Sequence, residues 1–502
     1  YGLANAFTEA ERAQLAVLHL FRETVGVGPL CFMGDADQCE ADAVPELAGL
    51  DPDTTGTALF DRATDIGLLT SLGGHFYRIH PALPWYFSDL FASTYGEQGT
   101  PSAQRAMRAY ARVMGELGHT CVAVEQDGHD ATDTARISEA NLLHALEISR
   151  TSQMWEEATG CMQGLLLLYT RTGRSSEWAR LVSDITPDVT DPGTGGPLPG
   201  RAYQWELVTS YRARIAHNAR DWATETGLRH TLIAWTRDQV AETLTIPDKR
   251  LTRQQRTLVH SLGAEICQVG DILQQQGDPG CVAQYREAFA LMQRIGDELG
   301  QSRIAHQLGN AYLDVSAMLD LSQAAHWYEK SLRLLPASDL HGRSEGFASL
   351  ASVALRRFEH GRRAGEHPMT LKRYLTDALN GYQQSLRLHP IDDHQTRARR
   401  ENEIGISYAH AGDFGQSLRH LHVALHHSEA CGDVYTAGLV RGNIAGFLER
   451  QDKTSEAVRY ARAAMDNYRQ VGPSAAAKAT EIQQFITFLE IKLEARDEQS
   501  PP

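Results

Sequence analysis

The sequence predicts a mostly α-helical protein, in which a small domain of helices and one β-hairpin precedes a long array of paired helices. Three observations support this fold class. Apolar residues recur at helical spacing through most of the 502 residues. Similar helix-pair segments return several times in the second half of the chain. A single hairpin signal, Gly73-Gly74, lies near the start.

The composition argues against several classes of protein. The formal net charge of −15 disfavours binding to nucleic acid or anionic membranes, because phosphate binding depends on Lys and Arg. No apolar run reaches the roughly 18 residues of a membrane span. The seven cysteines are scattered and never spaced C-x-x-C, so neither a zinc site nor a disulfide framework is predicted. We therefore expect a cytoplasmic protein.

The first predicted domain spans residues 1–92. Thr8 and Glu11 form a capping box at the start of an apolar helical stripe. A second helical segment leads into "LLTSL" and "HFYRI", which alternate on either side of the Gly73-Gly74 turn. Pro81 fits the first turn of a following helix, where its missing N–H costs nothing. Helices on both sides of a hairpin, in so short a segment, predict a small winged-helix domain.

The rest of the chain divides into three predicted regions. Residues 93–135 are expected to form a helical linker, with its helix at "SAQRAMRAYARVMGEL". Residues 136–493 are helical almost throughout, apart from an irregular break near 184–201 that is rich in Pro, Gly and Asp. Residues 494–502 are expected to be a disordered tail.

The long helical region contains an internal repeat. The segment "NEIGISYAHAGDFGQSLRHLHVAL" (402–425) matches the tetratricopeptide (TPR) pattern. There Gly405 would let two helices cross closely, Tyr408 would fill the space between them, and Gly412-Asp413 would make the turn. Variants recur at 308–336, 378–390 and 443–465, with weaker ones at 165–182 and 269–292. They are further apart than the roughly 34 residues of the standard repeat, so longer helices or turns are expected. The prediction is an α-solenoid of TPR-type hairpins, and an unrelated helical bundle is the alternative.

A resemblance to a known family covers nearly the whole chain. Residues 67–87, "GLLTSLGGHFYRIHPALPWYF", resemble the winged-helix segment of STAND-class signalling ATPases of the NB-ARC type. The segment "EANLLHALEISR" (139–150) resembles the bridge through which such proteins enter their TPR array. The resemblance implies the C-terminal half of a bacterial STAND ATPase, preceded by nucleotide-binding and effector domains. Because the sequence begins with Tyr1 rather than Met, we expect it to be part of a longer protein.

The resemblance implies a nucleotide contact for one histidine. The family has a Met-His-Asp motif at this strand–helix corner, and its histidine contacts the β-phosphate of bound ADP. The matching residues here are Ile79, His80 and Pro81, so the resemblance implies this contact for His80 alone. A histidine hydrogen-bonded to local backbone is the alternative. No G-x-x-x-x-G-K-[ST] loop is present, so no cofactor is expected in this chain, and ADP or ATP only in the full-length protein. No catalytic motif is found, so no enzyme activity is predicted.

The TPR array predicts a partner-binding surface. In such arrays the first helix of each unit lines the concave face, which suits a protein or peptide ligand. Arg and Asn on that face offer donors for carboxylates and peptide backbone. A solvated groove that binds nothing tightly is the alternative. The repeat register places there Arg303, His306, Asn310, Arg399, Asn402, His410, Asn443 and Arg450.

A histidine pair and a basic stretch are two further candidate binding sites. His422 and His426 are four residues apart on a helix and could share a metal, but no further ligand accompanies them, so no metal site is predicted. A basic stretch from Arg356 to Arg400 contrasts with the acidic whole and could hold an anionic ligand or an acidic partner segment. In both cases charged or polar residues that only solvate a helix face are the alternative.

These observations support three functional hypotheses. The leading one is the sensing region of a bacterial STAND ATPase used in signal transduction or defence. Its winged helix would stabilise the nucleotide-bound resting state, and a trigger bound to the TPR array would shift the population toward oligomer assembly. The first alternative is a TPR interaction scaffold without a nucleotide switch. The second is a winged-helix DNA-binding regulator, whose recognition helix would carry Arg62 but also Asp61 and Asp65, which phosphates repel.

Overall fold

The computed structural model describes residues 6–97, 99–126, 129–390 and 392–498, most of which are helical. The chain divides into two compact units, Tyr1–Leu232 and Ile233–Pro502. No helix in the described ranges combines the length and apolar character that crossing a membrane requires.

The first unit holds the described strands and the earlier helices. The elements that begin in it are α1 (Glu9–Ala16), β1 (Thr24–Gly26), α2 (Val27–Phe32), α3 (Ala36–Cys39), α4 (Thr55–Asp65), β2 (Leu69–Gly73), β3 (Phe76–Ile79), α5 (Pro84–Tyr95), α6 (Pro101–Gln126), α7 (Thr132–Ile137), α8 (Glu139–Thr151), α9 (Trp155–Arg171), α10 (Ser175–Val189), α11 (Ala202–Asn218) and α12 (Trp222–Val240).

The three strands form one antiparallel sheet in the order β1-β3-β2. The central strand β3 pairs with β1 at Thr24↔Arg78 and with β2 at Leu69↔Ile79. The structure therefore contains the predicted hairpin, and Gly73 and Gly74 at its turn both have positive φ. The sequence pattern does not predict β1, because three residues are too few to show an alternation.

Two helix-start predictions in residues 1–92, the capping box at Thr8 and the helix start at Pro81, can be compared with the structure. The capping box is confirmed, because Thr8 Oγ1 accepts from Glu11 N–H at 3.2 Å and Glu11 Oε2 accepts from Thr8 N–H at 2.9 Å. The prediction for Pro81 is wrong. Helix α5 begins at Pro84, and the residues before it form a turn in which Leu83 N–H donates to His80 O at 3.0 Å. Pro84 occupies the first helical position instead, where the missing N–H of a proline costs nothing.

Part of the predicted linker is a packed helix. Within 93–135, α6 runs for 26 residues and packs against α9. At their crossing a Cβ on Gly160 would overlap the carbonyl oxygen of Gly115, and a Cβ on Gly118 would overlap that of Gly160. Only glycine allows two backbones to approach so closely. Residues 101–126 therefore belong to the packed interior of the first unit.

The second unit consists of helical hairpins. Within its described residues five hairpins follow one another, and a final helix packs on the fifth. They are α13 (Arg253–Gln275) with α14 (Cys281–Ile295), α15 (Glu298–Asp314) with α16 (Leu321–Leu334), α17 (Leu340–Ala364) with α18 (Pro368–Leu388), α19 (His394–His410) with α20 (Phe414–Ala430), and α21 (Val434–Arg450) with α22 (Thr454–Val471), followed by α23 (Ala476–Glu498).

The spacing of the hairpins agrees with the expected long repeat. Helices α15, α17, α19 and α21 begin 42, 54 and 40 residues apart, against about 34 in the standard repeat. The widest interval arises because α17 and α18 have 25 and 21 residues. Longer helices, rather than longer turns, account for it.

The packing within a hairpin follows the roles predicted for the repeat. A Cβ on Gly405 would lie only 2.8 Å from Leu421 Cγ, so the small residue is needed where α19 crosses α20. Ser417 and Ala424 are fully buried between helices. The second helix of each hairpin also packs on the first helix of the next. The second unit is therefore an α-solenoid of TPR-type hairpins.

Two predicted boundaries need correction. The break near 184–201 begins later than predicted, because α10 continues to Val189 with Pro187 in its last turn. The irregular segment is 190–201, held by a bridge between Thr190 and Pro197. The predicted tail is helical as far as Glu498, since α23 is anchored by the buried Leu489 and by Lys492 Nζ at 2.6 Å from Glu449. Residues 499–502 lie outside the described ranges.

Candidate functional site

The first unit contains a cavity beside the predicted nucleotide-contacting histidine. It has a volume of about 1020 Å³ and lies between the end of β3, the start of α5, the segment before β1, and α8. Its lining is rich in groups that suit an anion and an aromatic ring, together with two carboxylates. These side chains are His19, Arg22, Glu23, Arg78, His80, Trp85, His144 and Glu147.

His80 is exposed at the rim of this cavity. Its Nδ1 accepts a hydrogen bond from the backbone N–H of Ala82 at 3.2 Å, so the local backbone contact of the alternative interpretation is present. Because Nδ1 is an acceptor, the neutral ring carries its proton on Nε2. That N–H can donate to an anion without disturbing the corner. The structure thus leaves both interpretations of His80 open to experiment.

Arg22 and His144 form a fixed pair in the wall of the cavity. Arg22 Nη2 lies 2.8 Å from His144 Nε2, and a guanidinium can only donate, so Nε2 is the acceptor. His144 Nδ1 then donates to Leu20 O at 3.0 Å. Burial, and next the charge of Arg22, lower the pKa of His144, in agreement with a neutral ring. The Arg78 side chain, by contrast, forms no hydrogen bond or ion pair with any described residue.

Asn141 joins α8 to the sheet. Its Nδ2 donates to Thr24 O at 2.8 Å, and its Oδ1 accepts from the backbone N–H of Arg22 at 2.7 Å. Tyr110 Oη donates to the same oxygen at 3.0 Å. Asn141 and Tyr110 are both buried, so these bonds are shielded from water. Asn141 and His144 lie in the segment that resembles the family's bridge, but no sequence pattern predicts their bonding partners, which are 117–124 residues away along the chain for the bonds to Arg22, Thr24 and Leu20.

In the second unit, the first helices of successive hairpins present equivalent positions along one surface. We call the side chains on α15, α17, α19 and α21 at these positions the first-helix surface. Arg303 and Arg399 occupy the same place in the repeat, five residues before Leu308 and Ile404, and both are exposed. Neither guanidinium pairs with a described residue. Arg303 lines a cavity of about 600 Å³ together with His306, and Arg399 lines one of about 540 Å³ together with Asn402.

Several other predicted partner residues hold the hairpins together. The Asn310 side chain accepts from Tyr328 Oη at 2.7 Å and donates to Gln307 at 2.8 Å. Asn443 Nδ2 donates to Asn402 Oδ1 at 2.9 Å, which links α21 to α19. His306 packs on the Tyr328 ring, with 5.1 Å between ring centroids, and burial lowers its pKa. Their amides and ring are therefore largely committed to the fold.

The remaining two predicted residues end their helices at one place. His410 is the last residue of α19 and Arg450 the last of α21. Arg362, in the last turn of α17, shares the Phe358 ring with His410: its guanidinium lies 5.5 Å from the ring centroid, and the two ring centroids are 5.2 Å apart. Burial lowers the pKa of His410, and the charges of Arg362 and Arg450 lower it further. Register alone does not predict Arg362 here, since α17 is longer than its neighbours.

The described residues of the basic stretch and of the histidine group are divided among different contacts. Arg400 pairs with Glu345 at 2.7 Å, and Arg357 donates to Leu321 O at 3.1 Å, so the stretch is divided among different contacts. His422 packs on Tyr460 with ring centroids 6.1 Å apart. In the described ranges no group of three His, Cys, Asp or Glu side chains could hold a metal ion.

Comparison with known proteins gives only distant structural likenesses. No protein-family model and no curated protein matches the chain. A STAND protein with a TPR sensor from Pyrococcus horikoshii aligns over 95% of this chain and 65% of its own, with 12% identity and a TM-score of 0.45. BtubC from P. vanneervenii aligns over 48% and 91%, with 20% identity and a TM-score of 0.35. The C-terminal part of a TPR protein from Cytophaga hutchinsonii aligns over 62% and 96%, with 12% identity and a TM-score of 0.33.

This chain thus spans less than two thirds of the length of the STAND protein. All three TM-scores are below 0.5, so the fold assignment rests on the hairpins of this chain itself.

Proposed function

We propose that the chain is a partner-binding scaffold whose first-helix surface holds an extended protein segment. The observation that carries this proposal is the pair Arg303 and Arg399. They recur at one position of the repeat, each is exposed and unpaired among the described residues, and each lines a cavity. Guanidinium groups recognise carboxylates through two parallel hydrogen bonds. The two groups, on α15 and α19, therefore suit a peptide with two separated carboxylates.

The test is binding of an unselected peptide library by the purified protein. Charge reversal at both positions, Arg303→Glu with Arg399→Glu, should weaken the selected peptides at least about tenfold. The matched control is Arg333→Glu, because Arg333 is equally charged and exposed but lies on the second helix α16. If the control weakens binding as much as the double variant, or if no peptide is selected, the scaffold proposal is wrong.

We also propose that the first unit is the winged helix of a longer STAND-type switch, with His80 as a nucleotide contact. The order of elements supports this, since helices α1, α2 and α4 precede the β2–β3 hairpin of an antiparallel sheet and helix α5 follows it. The free Nε2–H of His80 at the rim of a cavity with two arginines supports it as well. A nucleotide would have to be held by another domain, because this sequence has no phosphate-binding loop.

The gene upstream of Tyr1 provides the test of the switch. We expect it to encode a phosphate-binding loop, and in the full-length protein His80→Ala should speed ADP release about tenfold, as loss of one charge-assisted contact would. His422→Ala is the control, since His422 is exposed in the second unit. An upstream region without such a loop would leave the scaffold alone as the proposed function.

DNA binding is not proposed. The predicted recognition helix corresponds to α4, and Arg62 in it is paired with Glu11. Asp61 accepts a hydrogen bond from Tyr77 Oη at 2.8 Å and stays on the same helix as a repelling charge.

A further inference from the structure

The last turns of three first helices in the second unit place cations around one histidine. These residues are Arg362 on α17, His410 on α19 and Arg450 on α21, which we call the helix-end cluster. The two guanidinium groups are each ordered by an aromatic ring: Arg362 lies 5.5 Å over Phe358, and Arg450 lies 5.4 Å over Phe447. His410 packs on the same Phe358 at 5.2 Å. The cations are thus held in place before any ligand arrives.

The cluster has more positive than negative charge. Arg362 and Arg450 form no ion pair within the described residues. The only carboxylate that acts on His410 within them is Glu359, whose Oε1 is 3.9 Å from His410 Nε2 and so beyond hydrogen-bond distance. His410 Nδ1 is buried and has no hydrogen-bond partner in the described part of the chain, and only 13% of the side chain is exposed. Because Nδ1 is closed to solvent, a ligand can reach the ring only through Nε2.

The helix dipole explains these residues only in part. A cation near a helix C-terminus is favourable by itself, which accounts for each residue separately. Other arginines of the same hairpins nevertheless find carboxylates, as Arg400 does with Glu345 at 2.7 Å and Arg441 with Glu429 at 2.5 Å. The helix-end cluster differs because neither of its guanidinium groups has an ion pair within the described residues, in a chain of net charge −15.

We propose that the helix-end cluster binds an acidic segment of a partner protein, with a carboxylate between Arg362 and Arg450 and a hydrogen bond to His410. This inference rests on the proposed scaffold function and names the chemistry of its partner. Nucleic acid suits the site less well, because tight binding needs many neutralised phosphates. The cluster offers two arginines, and Glu359 and Glu449 lie on the same helices.

The test uses a fluorescein-labelled peptide of alternating Glu and Ala, and the same peptide with Gln in place of Glu. The glutamate peptide should bind, the glutamine peptide should bind at least about tenfold more weakly, and affinity should fall as salt rises. Arg450→Glu and Arg362→Glu should each weaken the glutamate peptide at least about tenfold, and Arg450→Lys should weaken it less. Arg469→Glu is the matched control, because Arg469 is exposed on the second helix α22.

Histidine NMR gives a second readout that a folding defect would not produce. Binding of the glutamate peptide should raise the pKa of His410, since it brings a negative charge to a ring next to two cations. Equal affinity for both peptides, or no effect of either charge reversal, would overturn the inference. So would stronger binding of a DNA duplex of equal charge. If library peptides still bind and respond to Arg303→Glu with Arg399→Glu but not to Arg450→Glu, the scaffold stands and this inference alone fails.

Discussion

Histidine 144 shows how neighbouring groups determine a protonation state. It accepts from Arg22 and donates to Leu20 O, so both ring nitrogens are occupied only when the ring is neutral. A second proton would have to sit on Nε2, opposite the guanidinium. His19, in the same cavity wall, also has a lowered pKa, because it is buried and then because Arg22 is near. The wall is therefore stable with neutral histidines.

The first prediction concerns pH. The pKa of His144 is lower in the folded than in the unfolded chain, so the unfolded chain binds the proton more readily. Stability should be complete above the unfolded value of about 6.5 and fall as pH drops below it. His144→Gln removes one such group, so its urea midpoint should fall less between pH 7.5 and 5.5. His422→Gln should keep the steeper loss of the parent, because His422 is exposed. Equal slopes in all three proteins would contradict this account.

The second prediction concerns Asn141. Asn141→Ala removes the amide oxygen that accepts from Arg22 N–H and the amide nitrogen that donates to Thr24 O. Because the Asn141 side chain is buried, the two backbone groups would lose their partners, and the free energy of unfolding should fall by about 3 kcal/mol. Hydrogen exchange of peptides from 9–151 during urea unfolding reports this for the first unit. Asn218→Ala, an exposed position in the same unit, should change it by less than about 0.5 kcal/mol. A similar loss in both variants would mean that the buried bonds contribute little.

At the scale of elements, the close crossing of α6 and α9 depends on glycines, which have no side chain to separate the two backbones. Gly115 and Gly118 on one helix meet Gly160 and Gly164 on the other, with backbone against backbone. Sequence inspection counts glycine as a weak helix former and gives it no packing role. The sequence therefore predicts a linker at α6, although its glycines allow it to pack closely against α9.

The third prediction tests that crossing. Gly160→Ala should lower the unfolding free energy by about 3 kcal/mol, because its Cβ would overlap the Gly115 carbonyl and the helices would have to separate. The matched control is Gly227→Ala on α12, where a Cβ meets nothing within 4 Å. That change should stabilise the chain by about 0.5–1 kcal/mol, since alanine favours the helix. Equal effects at the two glycines would show that the crossing is not close in solution.

At the scale of the whole molecule, charge separates the proposed partners from the excluded ones. The net charge of −15 repels polyanions at long range, while short clusters of arginine attract single carboxylates at close range. The two effects act over different distances, so an acidic protein can still bind an acidic peptide.

The fourth prediction follows from this charge. A DNA duplex should show no electrophoretic shift with the protein at a salt concentration of about 0.15 M, where long-range attraction is screened and no run of cations replaces it. Arg62→Ala should leave that result unchanged, because Arg62 is paired with Glu11. A shift that persists at this salt concentration and is lost in Arg62→Ala would restore the DNA-binding hypothesis.

The repeat, the hairpin and the capping box could be predicted because each depends on residues close in sequence. Gly405, Ser417 and Ala424 have the packing roles that the TPR pattern gives them. The partner surface was predicted less well. Asn310 and Asn402 do lie on first helices, but their amides bond to neighbouring side chains. Periodicity gives the face of a residue and does not reveal whether a neighbour already occupies its donors. Strand β1 was missed because only its partner β3 makes it a strand.

The bonds of Asn141 and His144 have a mechanical consequence. Helix α8 bonds to Thr24 O through Asn141 and to Leu20 O through His144, Thr24 is paired with Arg78 on β3, and β3 ends at the corner of His80. A rotation of α8 would therefore be expected to turn the sheet with it and to shift the corner that carries His80.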